Sequence, residues 1–195
     1  KTAMGRRNFN LSAGKQSKDF QFTLGAFLGN ANRSDRMFSD FYDSTYNMAG
    51  NSSLKPTNLN IGIGFKGFSA RWIMDLYQTT SRDSYDRNEP LAYPLDFKSN
   101  FLEVKYAAIL GEKKKLVITP KINIKSQTPW QTLTDYDTLI ADYSKIAKRY
   151  TGNITASYNL TRKINFVAGT EIYKDHALDQ IDSSKQCVVL IDEVD

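Results

Sequence analysis

Residues 58–80 read NLNIGIGFKGFSARWIMDLYQTT. Leu59, Ile61, Ile63 and Phe65 alternate with Asn58, Asn60, Gly62 and Gly64. Phe68, Ala70, Trp72, Met74 and Leu76 then alternate with Ser69, Arg71, Ile73 and Asp75. The period is two, so the backbone is extended, and Lys66-Gly67 between the arms predicts a tight turn. Each arm is about as long as the 9–11 residues a tilted strand needs to cross a bilayer. An average soluble strand has about 5–6. Whether the apolar face meets a protein core or lipid must be read from the rest of the chain.

The same alternation recurs on both sides of this hairpin. Phe9, Leu11 and Ala13 mark a first strand, and Phe20, Phe22, Leu24, Ala26 and Leu28 a second. Leu102, Val104, Tyr106, Ala108 and Leu110 mark a fifth. Leu116, Ile118, Ile122 and Ile124 mark a sixth, with Pro120 inside it, where a bulge or kink is expected. Tyr150, Ile154, Ala156, Tyr158 and Leu160 make a seventh, and Ile164, Phe166, Ala168 and Ile172 an eighth. Beyond His176 the pattern fades, so residues 1–176 read as one unit. Residues 177–195 read as a tail whose apolar run from Cys187 is a candidate further strand.

Short turns near Gln16, Gly67, Lys113 and Arg162 alternate with long polar connections at 30–57, 81–98 and 128–148. The middle of the third, Asp135 to Ala147, is read as a short helical turn. An up-and-down antiparallel meander with short turns on one rim and long loops on the other has this rhythm, as outer-membrane barrels do. A Greek-key sandwich has no reason to keep it. The expected fold is therefore all-β, an antiparallel up-and-down transmembrane β-barrel. Both ends of the eight strands fall on the long-loop side, so about eight strands of a larger barrel are expected. The start at Lys1, without methionine, reads as a mature or cut segment.

Composition excludes more than it assigns. The chain has 195 residues, a net charge of +5, 41% hydrophobic and 12% aromatic residues. No apolar run reaches the length of about 18 that a membrane helix needs, and no secretory signal is visible. Basic residues are scattered, and Lys113-Lys114-Lys115 reads as a solvated turn, so no nucleic-acid partner is expected. Cys187 is the single cysteine, read as a packed thiol, and His176 is the single histidine, read as solvated. No metal set, cofactor box or nucleophile constellation appears, and the chain is not read as an enzyme. Asp83 with Asp86, and Asp135 with Asp137, read as loop polarity rather than paired catalytic carboxylates. Gly62 and Gly64 precede no helix, so they form no phosphate loop.

On the polar faces fall Arg71, Asp75, Glu103, Lys105, Lys121, Lys125 and Glu171, expected to face a lumen. A lysine or arginine facing lipid at mid-depth would cost about 2–4 kcal/mol. The apolar faces carry essentially none. Phe20, Trp72, Phe101, Tyr150 and Tyr158 are expected in interfacial girdles. Ligand contacts are expected from the loops: Arg33, Asp35, Arg36, Asp40, Tyr42 and Tyr46 in one, Arg82, Asp83 and Tyr85 in the next. Arginine and tyrosine suit recognition of a polar ligand through hydrogen bonds and ring contacts. The plainer reading is that they pack loop on loop and touch lipopolysaccharide phosphates.

The segments Gly29-Asn30-Ala31-Asn32-Arg33-Ser34-Asp35-Arg36, Asp40-Phe41-Tyr42 and Ser44-Thr45-Tyr46-Asn47-Met48 resemble TonB-dependent outer-membrane receptors of the Bacteroidetes type. So do residues 77–86, YQTTSRDSYD, and 119–125, TPKINIK. The resemblance covers roughly residues 5–175. It implies a barrel of about 22 strands, a plug folded inside it, and import of a scarce solute (siderophore, cobalamin, glycan or peptide) driven by the TonB complex. The implied partners are the plug, the remaining barrel strands, TonB, outer-membrane lipid with lipopolysaccharide, and a surface lipoprotein. Neither plug nor TonB box is visible here. A passive porin or fatty-acid channel without TonB coupling is the alternative, and a soluble β-protein the third reading.

Overall fold

A computed structural model describes residues 5–39, 43, 45–81, 93–111, 115–132, 144–161 and 163–180. Every regular element among them is a strand: β1 (Arg6–Gln16), β2 (Phe20–Asn32), β3 (Met37–Ser39), β4 (Thr45–Asn47), β5 (Ser53–Phe65), β6 (Phe68–Ser81), β7 (Tyr93–Tyr106), β8 (Ala108–Leu110), β9 (Leu116–Thr132), β10 (Ser144–Asn159) and β11 (Asn165–Gln180). One antiparallel sheet runs β1-β2-β5-β6-β7-β9-β10-β11, and β3 and β4 form a separate small hairpin. Chain order is sheet order, which makes it an up-and-down meander. The sheet is open, with β1 and β11 as its edges. No described helix is long and apolar enough to cross a membrane, which says nothing of strands.

The strands outrun their hydrophobic patterns. The expected long connections shrink to residues 33–52, 82–92 and 133–143 because polar segments are drawn into the ladders. Ser53–Thr57, Tyr93–Ser99 and Ser144–Arg149 all belong to strands. Ser144–Ala147 is thus extended, not helical, since β10 pairs with β11 from Ser144↔Gln180 onward. The remainder of that expected helical turn lies outside the described residues. Residues 177–180 belong to β11 rather than to a tail, and the run from Cys187 lies outside the described residues.

Prolines punctuate the ladders where their missing N–H falls. At Pro120 no residue is inserted: Lys105↔Lys121 and Ala108↔Ile118 keep one register. The break appears instead on the partner, separating β7 from β8 at Ala107, whose N–H turns away to Gly67 O at 2.8 Å. A bulge that was not expected lies further along β9, at Pro129-Trp130. Lys98 faces Thr128 but Asp96 faces Gln131, so β9 carries one extra residue there. Pro56 interrupts the β2 ladder between Leu28↔Thr57 and Ala31↔Leu54. A Cβ on Gly29 would lie 2.8 Å from Pro56 Cγ, so this glycine makes room for the ring.

The central hairpin closes as its sequence dictates. Lys66 (φ 45°) and Gly67 (φ 85°) both lie in the left-handed region. That is the type I′ geometry whose twist matches two-residue hairpins.

Candidate functional site

The sheet has two chemically distinct faces. Directly opposed residues of an antiparallel pair share a face. One row therefore joins Leu24, Ile61, Trp72, Leu102, Ile124 and Tyr150. The next joins Ile63, Ala70, Val104, Ile122, Gly152 and Ile172. These side chains have nothing packed over them. Ile63, Trp72, Leu102, Ile122, Tyr150 and Ile172 are exposed, from 36% at Leu102 to 74% at Ile172, and Leu24, Ile61, Val104 and Ile124 are half-buried between their row neighbours. Among the described residues only Leu95 is a buried apolar side chain. No strand of the sheet touches any strand but its ladder neighbours. A soluble sheet buries its apolar face against a second layer, and the described residues form a single layer.

The rows slant across the strands. Ile63 lies two residues from the turn-side end of β5, and its row-mate Ile172 lies seven from that of β11. An offset of about five residues over five strand spacings gives a tilt of roughly 35°, from a rise of ~3.4 Å per residue and a spacing of ~4.8 Å. Barrel strands tilt by about 35–45°.

Aromatics line the turn-side edge of the apolar face. Phe20 faces Phe65, Phe65 faces Phe68, and Phe68 faces Tyr106, while Tyr158 faces Phe166 further round. Of the expected girdle residues, Phe20 and Tyr158 sit on this edge. Trp72 lies mid-face between Ile61 and Leu102, and Tyr150 lies loop-ward beside Ile124. Phe101 is on the opposite face, between Ile73 and Lys125, because its parity follows Glu103; Lys125 Nζ stands 5.8 Å from its ring centre. The loop-ward edge of the apolar face is basic. Arg7, Lys55, Lys98, Lys148 and Lys174 share the parity of the apolar residues beyond or at its end. These cations escaped the sequence reading because the strands were read too short.

The other face gathers the remaining charges. Arg71 faces Glu103, and its Nε donates to Asn60 Oδ1 at 3.1 Å. Lys105 faces Lys121, which faces Asn153, which faces Glu171. Asp75 faces Asn58 and Ser99. The Lys105 ammonium stands 3.7 Å from Glu103. Arg149, between Lys125 and Asp175, grips the Asp175 carboxylate with Nε and Nη2 and lies 4.8 Å from the Tyr173 ring centre. Sequence reasoning missed Arg149 and Asp175, having ended the strand pattern short of both. All seven expected lumen residues thus share one face, in neighbouring rows.

The first loop is tied down at its root. Arg33 Nη2 donates to Thr80 O at 2.7 Å, and Arg33 N donates to Ser52 O at 2.8 Å. Ser52, fully buried, donates its hydroxyl to Ser34 O at 2.6 Å and accepts from Ser34 N at 3.0 Å. The Arg33 guanidinium is therefore engaged in holding the loop to β6. Asp35 and Arg36 are exposed beside it, and Arg36 O accepts from Met48 N at 2.9 Å. Tyr46 lies in β4 opposite Phe38, and its side chain is outside the described residues. Asp40, Tyr42, Arg82, Asp83 and Tyr85 are outside them too. Among the described residues no group of three or more His, Cys, Asp or Glu is placed to hold a metal ion.

Comparisons with models of protein families, with curated proteins and with solved structures returned no match.

Proposed function

We propose that this chain is a wall segment of a β-barrel in a bacterial outer membrane, its apolar face to lipid and its charged face to the lumen. The observation that carries this reading is a single-layer sheet with one uncovered apolar face. Transfer of apolar surface out of water is worth about 25 cal/mol per Å², and no second layer among the described residues supplies that transfer. The aromatic row at the turn edge, the basic row at the loop edge and the strand tilt support the same reading. A lysine collar on the loop side suits an outer leaflet rich in lipid phosphate. Strands of a larger barrel would pair with β1 and β11, since unpaired backbone is not tolerated in hydrocarbon.

Within that barrel, the reading that accounts for the motifs at residues 29–48, 77–86 and 119–125 is a TonB-dependent receptor importing a scarce solute. Nitroxides at Ile61→Cys and Trp72→Cys, in a Cys187→Ser background, test the wall: both should be quenched by oxygen and shielded from a water-soluble relaxant. Labels that report water or a packed interior overturn it. Solute uptake in cells with and without TonB tests the coupling. Uptake undiminished without TonB makes the protein a passive pore.

A further inference from the structure

We infer that the apolar face carries a binding site for one anionic, phosphate-bearing lipid at the β9–β10–β11 end of the sheet. The inference rests on the membrane reading above and adds a ligand to it. Gly152 leaves a gap in the apolar face, between Ile122 and Ile172. Two hollows, of about 430 and 380 Å³, share Ile122, Gly152 and Ile172 as a common wall. The first reaches down to Phe68 and Tyr106 at the aromatic edge, and the second reaches up to Tyr150 and Lys174. Together they form one mainly apolar furrow that crosses from β7 over β9 and β10 to β11, with Lys174 at its loop-ward end.

The chemistry at its upper end is one-sided. Lys148 faces His176, and Lys174 faces Tyr150 one step below. Lysine beside a second lysine and a histidine is unfavourable without a counter-charge. No carboxylate shares this face on β9, β10 or β11 among the described residues; Glu171, Asp175 and Asp179 all have the opposite parity. The described residues offer these cations no carboxylate on this face, and a phosphate is the anion expected at that depth. A phosphate above an acyl-sized furrow describes an anionic lipid: Lys148 and Lys174 take the head group, and the chain lies over Gly152 between Ile122 and Ile172. Of the other basic positions of the edge, Arg7, Lys55 and Lys98 line neither hollow, and Lys98 already stands 3.5 Å from Asp96.

The test uses the membrane-extracted protein in nanodiscs of phosphatidylcholine doped with phosphatidylglycerol, with retained lipid counted by native mass spectrometry. Wild type should retain one phosphatidylglycerol in preference to phosphatidylcholine. Lys148→Gln with Lys174→Gln should weaken retention about thirtyfold, at about fivefold per lysine. Gly152→Leu fills the furrow and should weaken it while leaving the head-group cations in place. A Cβ at Gly152 meets only Ile172, at 3.5 Å, so the variant is expected to fold. Lys55→Gln with Lys98→Gln should change nothing. Equal loss in that control, unchanged retention in Gly152→Leu, or displacement of the lipid by millimolar inorganic phosphate alone would overturn the site. Equal retention of the two lipids by a membrane-inserted protein overturns the site but not the wall. A protein that needs no detergent and does not float with vesicles overturns the wall itself.

Discussion

Placing lysine at Ile61 and at Phe65 in separate variants measures what the apolar face touches. Ile61 is the centre of the face on β5, with Thr57 and Phe65 four residues to either side. Four residues span about 13 Å along the strand and, at a tilt near 35°, about 11 Å of depth. Facing lipid, Ile61→Lys should cost about 2–4 kcal/mol and Phe65→Lys about 0–1, because the penalty falls from mid-plane to interface. In water, both would cost about 0.2–1 kcal/mol through the lost cross-strand pairs with Leu24, Trp72, Phe20 and Phe68. Asn60→Lys on the opposite face serves as reference and should stay within about 0.5 kcal/mol. The assay is reversible urea unfolding of the bilayer-inserted protein, followed by tryptophan emission. Equal costs at Ile61 and Phe65 would refute the reasoning, since a penalty set by lipid depth cannot be flat over 11 Å or so.

Gly67→Ala should destabilise by about 1–2 kcal/mol for its left-handed backbone alone. Its Cβ would also lie 2.8 Å from Ala107 O, so the measured unfolding cost should exceed that of Lys66→Ala. Ser52→Ala leaves Ser34 N–H and C=O without their partner and should cost about 1–3 kcal/mol, read as faster hydrogen exchange at the Ser34 amide. The Arg149–Asp175 pair is about half exposed on both sides, so solvent screens it and a double-mutant cycle should return little or no coupling despite its bidentate geometry. A larger coupling would mean that something covers this face.

The period of two at Phe20–Leu28, Leu59–Phe65 and Leu102–Leu110 made the strands and their shared apolar side legible. Lys66-Gly67 made one turn legible as well. Strand ends were not legible, for a physical reason. Outside the hydrophobic belt the ladder is held by backbone hydrogen bonds, which leave no mark on side-chain polarity, so Ser53, Tyr93 and Ser144 read as loop. That error hid the loop-ward lysines and the Arg149–Asp175 pair together. Pro120 drew attention as a bulge, but register places one further along β9, at Pro129-Trp130, because only a partner strand reveals which carbonyl loses its donor. Arg33 read as a ligand contact from its composition, and the bond from its Nη2 to Thr80 O, made across 47 residues, could not be read there.

The pairing of β6 with β7 continues to Ser81↔Tyr93, five residues past Leu76, or about 17 Å of ladder beyond the apolar belt. That extension acts as a stilt. If the apolar belt marks the bilayer, as proposed above, the ladder carries the chain well clear of it before residue 82, so an epitope grafted at 82–92 should be reached by antibody on intact cells without loss of insertion.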